Sequence, residues 1–247
     1  GSLGLEVLTE TMKELDLGEA PITWHVSRDG WAEATFLLGL IAATCAKIAA
    51  EISLLMRTEI AEVSEPYETG RGGSSTLPQK RNPVICLTVV ATGRMAREKV
   101  GLALDCMVAQ HERDVGGGHL EWTLLPETFV LTGGALEKTM ELLQGLVVDE
   151  DRMRENLKLT NGLVMSEAVM MGLAPIIGRD EAHSVVQEAC NECFEKNVTL
   201  ADVLVDHPLI SKHLTKEDIA ALLDPGNYLG TAPQMIDRTV RLVRNSR

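Results

Sequence analysis

The chain has 247 residues, of which 45% are hydrophobic, 24% charged and 3% aromatic. This length can bury a large core without disulfides or metals, and the composition is that of a soluble globular protein and excludes disorder. The 23 basic and 36 acidic residues give a formal net charge of −13, which argues against nucleic acid as a partner because phosphate binding needs clustered cations.

The N-terminal region lacks the pattern of a targeting signal. Residues 1–15 carry several glutamates and have no basic region followed by a long apolar run. The longest uncharged stretch near Leu38 covers residues 34–46, which is shorter than the ~20 residues that a membrane span needs. The odd number of cysteines, mostly within apolar runs, indicates reduced intracellular thiols. We therefore expect a cytoplasmic protein that does not contact membranes.

The first strong helical pattern covers residues 29–60, where there is no proline and there are only two glycines. Its polar residues repeat at helical spacing and form one narrow stripe, made of Thr44, Lys47, Glu51 and Thr58. A helix that is apolar around most of its circumference is surrounded by other helices. At 1.5 Å per residue it would be about 45–50 Å long. This predicts a long bundle completed by other copies of the chain.

Two more long helices are predicted after the first. One begins after Pro83, which suits a first-turn position, and reaches about Gln110. The next runs from Pro126 to Val148, and the glycines at 116–118 mark the join before it. We find no alternating strand pattern of useful length.

Beyond about residue 150 the helical segments become shorter and loops become frequent. The predicted fold class is therefore all-α, with a long central helical bundle and a smaller all-helical C-terminal domain. Residues 1–155 are assigned to the bundle domain and residues 156–247 to the C-terminal domain.

A long loop at residues 64–83, SEPYETGRGGSSTLPQKRNP, interrupts the helical pattern. Such a loop is uncommon in a compact helical protein unless it is functional. Its glycines let backbone N–H groups approach an anion, and it leads into a helix N-terminus, which also favours anions. Basic and amide side chains are supplied by Arg71, Lys80, Arg81 and Asn82. The set suits carboxylate binding and stabilisation of an adjacent carbanion; the alternative is a flexible linker with solvated basic residues.

Within this loop, GSSTLPQKRNP at residues 73–83 resembles the signature loop GSSxMPxKxNP of the fumarase/aspartase superfamily. Members of that superfamily add or eliminate across a carbon–carbon bond beside a carboxylate. Leu77 replaces the usual methionine, a change of similar volume from which we expect little effect.

The resemblance implies a role for each matching residue of the loop. Ser74 would be the catalytic base, and the substrate would be bound by Ser75, Thr76, Lys80 and Asn82. A serine hydroxyl is too weak a base unless negative charge on its oxygen is strongly stabilised. We expect the backbone N–H groups of the glycine turn and the ammonium of Lys80 to provide this stabilisation.

Residues outside the loop favour one branch of the superfamily. Leu87 occupies the position where the fumarase-like branch has a glutamate, and Arg113 is not followed by the phosphate-binding serines and arginines of adenylosuccinate lyases. Four segments are instead similar to the bacterial 3-carboxy-cis,cis-muconate cycloisomerases. They are Trp24-His25 with Arg28-Asp29, HERDVGGGHLEW at 111–122, LTNGLVMSEA at 159–168 and LDPGNYLGTA at 223–232.

This similarity implies a cycloisomerase of aromatic (protocatechuate) degradation that needs no metal or organic cofactor. One carboxylate of a small polycarboxylate substrate would add to a double bond of the same molecule, and the signature loop would protonate the alpha carbon. The similarity also implies a homotetramer whose active sites each draw on three subunits. Family members have an additional amino-terminal domain with a His-bearing binding motif, so we expect such a domain ahead of residue 1, and we expect residue 247 to lie at the end of the protein.

Further candidates for the pocket lie outside the signature loop. They are Trp24, His25, His111, Arg113 and His119. Arg113 could bind a carboxylate bidentately or form a structural ion pair, and the histidines could line the pocket or pack helix ends. Trp24 could wall the pocket or pack in the core.

Two other functions compete with the cycloisomerase. One is another lyase of the superfamily, either adenylosuccinate lyase-like or acting on a sulfonate analogue of muconate. The other is a non-catalytic helical assembly protein, which the joint presence of Ser74, Lys80 and Asn82 disfavours.

Overall fold

A computed structural model describes residues 1–68, 70 and 72–246 of the chain. Arg71, one of the basic residues of the predicted loop, lies outside the described residues. The described residues are predominantly helical, which confirms the predicted all-α class. The chain divides into two compact units, Gly1–Asp149 and Glu150–Arg247.

The first unit is a bundle of three long helices, each antiparallel to the next, with a short helix ahead of them. Its elements are α1 (Gly4–Leu15), α2 (Asp29–Leu55), β1 (Val63–Ser64), α3 (Val84–Asp105), α4 (Val115–Gln144) and β2 (Val147–Val148). The strands form a two-residue antiparallel ladder in which Val63 is paired with Val148. Small buried residues let α2 and α3 approach closely, among them Ala42 and Ala49 on α2 and Gly93 and Ala96 on α3.

The predicted start of the third long helix was wrong. Helix α4 begins at Val115, well ahead of Pro126, and the glycines expected to separate helices form its first turn. Asp114 caps this turn, because its carboxylate accepts the N–H groups of Gly116 at 2.9 Å and Gly117 at 3.3 Å. An N-cap of this kind offsets the low helix propensity of glycine. Pro126 lies inside α4 rather than at its start.

The other long helices end earlier than predicted. Helix α2 ends at Leu55 and α3 at Asp105, each about five residues short of the sequence estimate, a usual error for helix ends. Pro83 is the N-cap of α3 rather than a first-turn residue.

By length and composition alone, α2 is long and apolar enough to cross a membrane. The uncharged stretch at residues 34–46 is too short for a membrane span because Lys47 ends it. A membrane-spanning helix can nevertheless contain a few charged residues, so the apolar length of α2 is greater than that stretch. In the structure one face of α2 packs against α3 and α4, and Ala42, Ala49 and Ile52 on that face are buried.

The second unit is built from shorter helices around its own core. They are α5 (Glu150–Asn156), α6 (Ser166–Ile177), α7 (Arg179–Lys196), α8 (Leu200–Asp206), α9 (Lys216–Leu222) and α10 (Ala232–Asn245). The core is formed by apolar side chains of α6 to α9 and of the turn between α8 and α9, including Leu173, Leu200, Leu204 and Ile210. Helices α8 and α9 both begin with a capping box, in which a threonine and an aspartate three residues later bond each other's backbone N–H.

Candidate active site

The loop between β1 and α3 has two limbs, one leading from β1 to Gly72 and one leading through Asn82 to α3. Contacts between the limbs close the loop at a neck formed by Gly72 and Asn82. The carbonyl oxygen of Gly72 accepts both the backbone N–H of Asn82 at 2.9 Å and its side-chain amide at 3.1 Å. Gly72 has φ +72°, and a Cβ built on it would lie 2.8 Å from the Asn82 carbonyl oxygen, so only glycine fits. Nearby, the guanidinium of Arg81 lies 4.4 Å from the centre of the Tyr67 ring. Both contacts hold the limbs together.

A third contact joins the limbs where α3 begins. The buried carboxylate of Glu65 accepts the backbone N–H groups of Ile85 at 3.1 Å and Cys86 at 2.6 Å. Burial raises the pKa of the Cys86 thiol to about 12, and the hydrogen bond and negative charge of Glu65 act in the same direction. We had expected this helix N-terminus to attract a substrate anion, but an anionic side chain of the protein itself occupies it.

The tip of the loop presents the predicted catalytic serine. The Oγ of half-buried Ser74 accepts the backbone N–H groups of Thr76 at 3.2 Å and Leu77 at 3.1 Å. Two such donors stabilise negative charge on the oxygen. The donors follow Ser74 in the chain, whereas we had predicted them in the preceding glycine turn. Ser75, like Thr76, is exposed, and so is Lys80.

The structure also fixes what Asn82 can contribute. One N–H of its side-chain amide bonds Gly72, so the second N–H and the amide oxygen are the groups left for a ligand. Asn82 is half-buried and lies at the base of the loop rather than at its tip.

A second group of candidate residues lies at the N-terminal ends of α2 and α4. The rings of Trp24 and His25 stack with 5.5 Å between centroids, and the Arg113 guanidinium lies 3.5 Å from Nε2 of His25. Beneath them, Arg28 and Glu121 form an ion pair whose side chains are 14% and 12% exposed. We did not select these two charged residues as site residues, and no spacing signal links positions so far apart in the chain.

The remaining two histidine candidates lie near the start of α4. His119 bonds the carbonyl oxygen of Val115 through Nδ1 at 2.7 Å, and its ring is 4.7 Å from that of Trp122. His111 is exposed and has φ +53°, a conformation that few non-glycine residues adopt. The chain therefore gathers Trp24, His25, Arg113 and His119 around the same bundle end, with His111 in the turn that precedes α4.

The two groups of candidate residues lie at opposite ends of the bundle. The loop with Ser74 joins the C-terminal side of α2 to the start of α3, whereas His25 precedes α2 and Arg113 precedes α4. Helix α2 has 27 residues and is therefore about 40 Å long. One chain does not bring Ser74 together with His25 or Arg113, so a site that uses both groups needs more than one chain.

The loop of a single chain offers little enclosed space. The cavity behind its neck, lined by Met56, Glu65 and Arg81 among others, has a volume of about 20 Å³, far below the ~300 Å³ of small-molecule pockets. Among the residues that the structure describes, no group of three or more His, Cys, Asp or Glu side chains could hold a metal ion.

Comparisons with known proteins agree with this fold and loop. The family described as "Lyase" matches residues 6–96, and the family described as "Adenylosuccinate lyase C-terminus" matches residues 162–239. An uncharacterized protein of Schizosaccharomyces pombe is 46% identical over 97% of this chain and 54% of its own length. The 3-carboxy-cis,cis-muconate cycloisomerase of Acinetobacter baylyi is 40% identical over 96% of this chain and 53% of its own length.

Two further matches bear on the reaction and the fold. The trans-aconitate decarboxylase 1 of Mycosarcoma maydis is 41% identical over 97% of this chain and 49% of its own length. The crystal structure of the 3-carboxy-cis,cis-muconate lactonizing enzyme from Pseudomonas putida superposes with a TM-score of 0.91 at 39% identity, covering 98% of this chain and 54% of that one. The chain spans about half the length of the curated relatives it matches.

The chain belongs to the fumarase/aspartase superfamily of helical lyases, as the signature loop had indicated. Within that superfamily its similarity to the 3-carboxy-cis,cis-muconate cycloisomerases extends over both compact units.

Proposed function

We propose that the protein of which this chain forms part is a 3-carboxy-cis,cis-muconate cycloisomerase, which forms a carboxymuconolactone in protocatechuate degradation. The observation that carries the proposal is the signature loop, which holds the Ser74 hydroxyl against two backbone N–H groups. The identity of 40% to the Acinetobacter baylyi cycloisomerase supports the choice of reaction.

In the proposed reaction a carboxylate oxygen of the substrate bonds to a carbon of its own diene, and the π electrons of that double bond move to the alpha carbon. The resulting aci-carboxylate takes a proton from the Ser74 hydroxyl. The alkoxide left on Ser74 is stabilised by the N–H groups of Thr76 and Leu77. Because nucleophile and acceptor belong to one molecule, ring closure requires no second molecule to be ordered.

Lys80 and Asn82 are proposed to bind the substrate carboxylate that gains charge. Negative charge on this group increases from the ground state to the aci-carboxylate, so a cation beside it stabilises the transition state more than the substrate. The exposed position of Lys80 at the loop tip is compatible with reaching a ligand held between chains.

A homotetramer with shared active sites is proposed from the separation of the two residue groups. It would supply the second group from another chain, and it would cover the apolar side chains that the bundle exposes, such as Phe36, Leu37, Phe129 and Val130. In the full-length protein, light scattering should give the mass of four chains. A stable monomer would contradict this proposal.

The reaction is tested by mixing full-length protein with 3-carboxy-cis,cis-muconate and following the ultraviolet absorbance of the diene. Loss of the band, with lactone identified by NMR, supports the proposal. Ser74→Ala should lower kcat by about 10³-fold, the middle of the range for loss of a general acid or base. An undiminished rate in this variant, with circular dichroism like that of the wild type, would exclude Ser74 from the chemistry.

A second candidate is another reaction of the same superfamily. The identity of 41% to a trans-aconitate decarboxylase favours it, because the substrate named for that relative is a different unsaturated polycarboxylate. The same full-length preparation should therefore be assayed with trans-aconitate, a sulfonate analogue of muconate and adenylosuccinate. Turnover of one of these without loss of the muconate diene would replace the first proposal, and inertness toward all would favour a non-catalytic assembly protein.

A further inference from the structure

We propose that Glu65 is a positioning residue that holds the signature loop, and with it Ser74, in its working geometry. This inference rests on the proposed function, because it assigns Glu65 a role in the reaction that Ser74 performs. The contact that suggests it is the pair of hydrogen bonds from Ile85 and Cys86 to the Glu65 carboxylate.

Glu65 replaces a cap that the start of α3 cannot provide for itself. The N-cap residue is Pro83, so Ile85 and Cys86 are the second and third helical residues, whose N–H groups an N-cap side chain normally accepts. Proline has no acceptor in its side chain, and α3 makes no side-chain cap of its own. A carboxylate twenty residues earlier in the chain accepts both N–H groups instead.

The backbone on either side of Glu65 is itself fixed. Val63, two residues before it, pairs with Val148 in the β ladder. Pro66, the residue after it, lies so close to Gly145 that a Cβ on that glycine would be 2.6 Å from the proline Cβ. Glu65 therefore connects the rigid C-terminal end of α4 to the first turn of α3.

A short path leads from the first turn of α3 to the catalytic hydroxyl. Asn82 directly precedes Pro83 and bonds Gly72 twice, and Ser74 follows Gly72 by two residues. If α3 frays at Cys86, the limb that carries Asn82 loses its anchor and Ser74 shifts with it. A misplacement of about 1 Å can cost about 10²-fold in rate.

The experiment compares Glu65→Ala and Glu65→Gln in the full-length protein with a matched variant, Val89→Ala. Val89 is fully buried one turn further along α3 and has no part in the neck, so its truncation lowers stability by packing alone. We expect Glu65→Ala to lower kcat by about 10²-fold with KM changed less than about threefold. Glu65→Gln keeps one acceptor oxygen and should recover part of the loss, and Val89→Ala should keep the wild-type kcat.

A second measurement does not depend on activity. Cys86 is fully buried beside Glu65, and Cys45 is buried elsewhere in the bundle, so iodoacetamide labelling followed by peptide mass spectrometry distinguishes local from global opening. Glu65→Ala should raise the labelling rate of Cys86 by about tenfold or more without raising that of Cys45. Because loss of Glu65 also lowers the pKa of the Cys86 thiol, faster labelling counts as local opening only when hydrogen exchange in the loop rises with it. Hydrogen exchange at residues 72–82 should rise in the same variant.

The outcomes separate this inference from the proposed function. If wild-type protein does not turn over the diene or the other substrates, the proposed function fails, while labelling and hydrogen exchange still decide whether Glu65 holds the loop. If Glu65→Ala keeps the wild-type kcat, or if Cys86 labelling and loop exchange stay at wild-type rates, Glu65 does not position the loop and the inference is overturned. If Glu65→Ala does not fold, Glu65→Gln carries the same tests.

Discussion

Gly93 in α3 lies directly against the backbone of Ala42 in α2. A Cβ built on Gly93 would be 2.7 Å from the Ala42 carbonyl oxygen and 2.8 Å from the Cβ of Ala46. These separations are shorter than real Cβ contacts, so the two helices are in backbone contact at this level of the bundle. The close approach explains why small residues line the α2–α3 contact.

Replacing Gly93 with alanine should therefore destabilise the bundle. The added methyl group meets backbone, which cannot move aside as a side chain could, so we expect a loss of about 1–3 kcal/mol. Gly101 in the same helix has nothing within 4 Å of a built Cβ. Gly101→Ala should instead stabilise by about 0.5–1 kcal/mol, because alanine is the better helix former. Urea unfolding followed by circular dichroism measures both, and equal effects of the two variants would contradict the close contact.

The ion pair between Arg28 and Glu121 should contribute more to stability than the exposed pairs. Both of its side chains are largely buried, so Glu121→Gln leaves the Arg28 charge without its partner, which should cost about 3 kcal/mol. The control is Glu150→Gln, which removes an exposed partner of Arg154 and should cost less than about 1 kcal/mol. Shifts of similar size in the urea midpoints of the two variants would show that the Arg28–Glu121 ion pair contributes no more to stability than an exposed pair.

The stability of the bundle should depend on the protonation of Cys86 at high pH. Its thiol has a pKa of about 12 in the folded protein, against 9.0 for an unperturbed thiol. Between these values the unfolded chain has lost the proton that the folded chain retains, so the free energy of unfolding falls as pH rises. Cys86→Ala should flatten this fall relative to the wild type from about pH 9 upward. Parallel pH profiles for the two proteins would show that the thiol does not titrate with a raised pKa.

Helical periodicity was sufficient to predict the class of fold and the long helices, and it failed at the start of α4. Three consecutive glycines predict a break and a later proline predicts a helix start, because both residue types have low propensity for a helix interior. The carboxylate of Asp114 outweighs this preference by capping the glycine turn. Helix propensity alone therefore misplaces the start of α4, because it leaves out the two hydrogen bonds that the Asp114 carboxylate accepts.

The signature loop was predicted from residue order alone, but its internal contacts were not. The bonds from Ile85 and Cys86 to Glu65 join positions about twenty residues apart, and no local pattern specifies such a pairing. The same limit applies to Arg28 and Glu121, which meet only because α2 and α4 begin at the same end of the bundle. Side-chain pairing across elements depends on the fold, which periodicity defines only in outline.

Shared active sites lead to a prediction that needs no structure of the assembly. Ser74→Ala and Arg113→Ala each remove a residue from a different end of the bundle, so each variant alone should be inactive if both residues serve the reaction. When the two full-length variants are coexpressed in equal amounts, some sites receive the intact Ser74 from one chain and the intact Arg113 from another. Random assembly makes about one quarter of the sites intact, so about a quarter of wild-type activity should return.

The control for this complementation pairs two changes at the same end of the bundle. Coexpression of Ser74→Ala with Lys80→Ala places both changes in one loop, where no mixing of chains restores a complete loop. We expect no recovery of activity in that mixture. Recovery there would mean that Ser74 and Lys80 of one site come from different chains. No recovery with the Ser74 and Arg113 pair, while each protein still assembles by light scattering, would mean that the two ends of the bundle do not contribute to one site. The two ends of α2 are about 40 Å apart. A positive result would therefore require that neighbouring chains pack antiparallel, so that the Ser74 loop of one chain lies beside the Arg113 end of another.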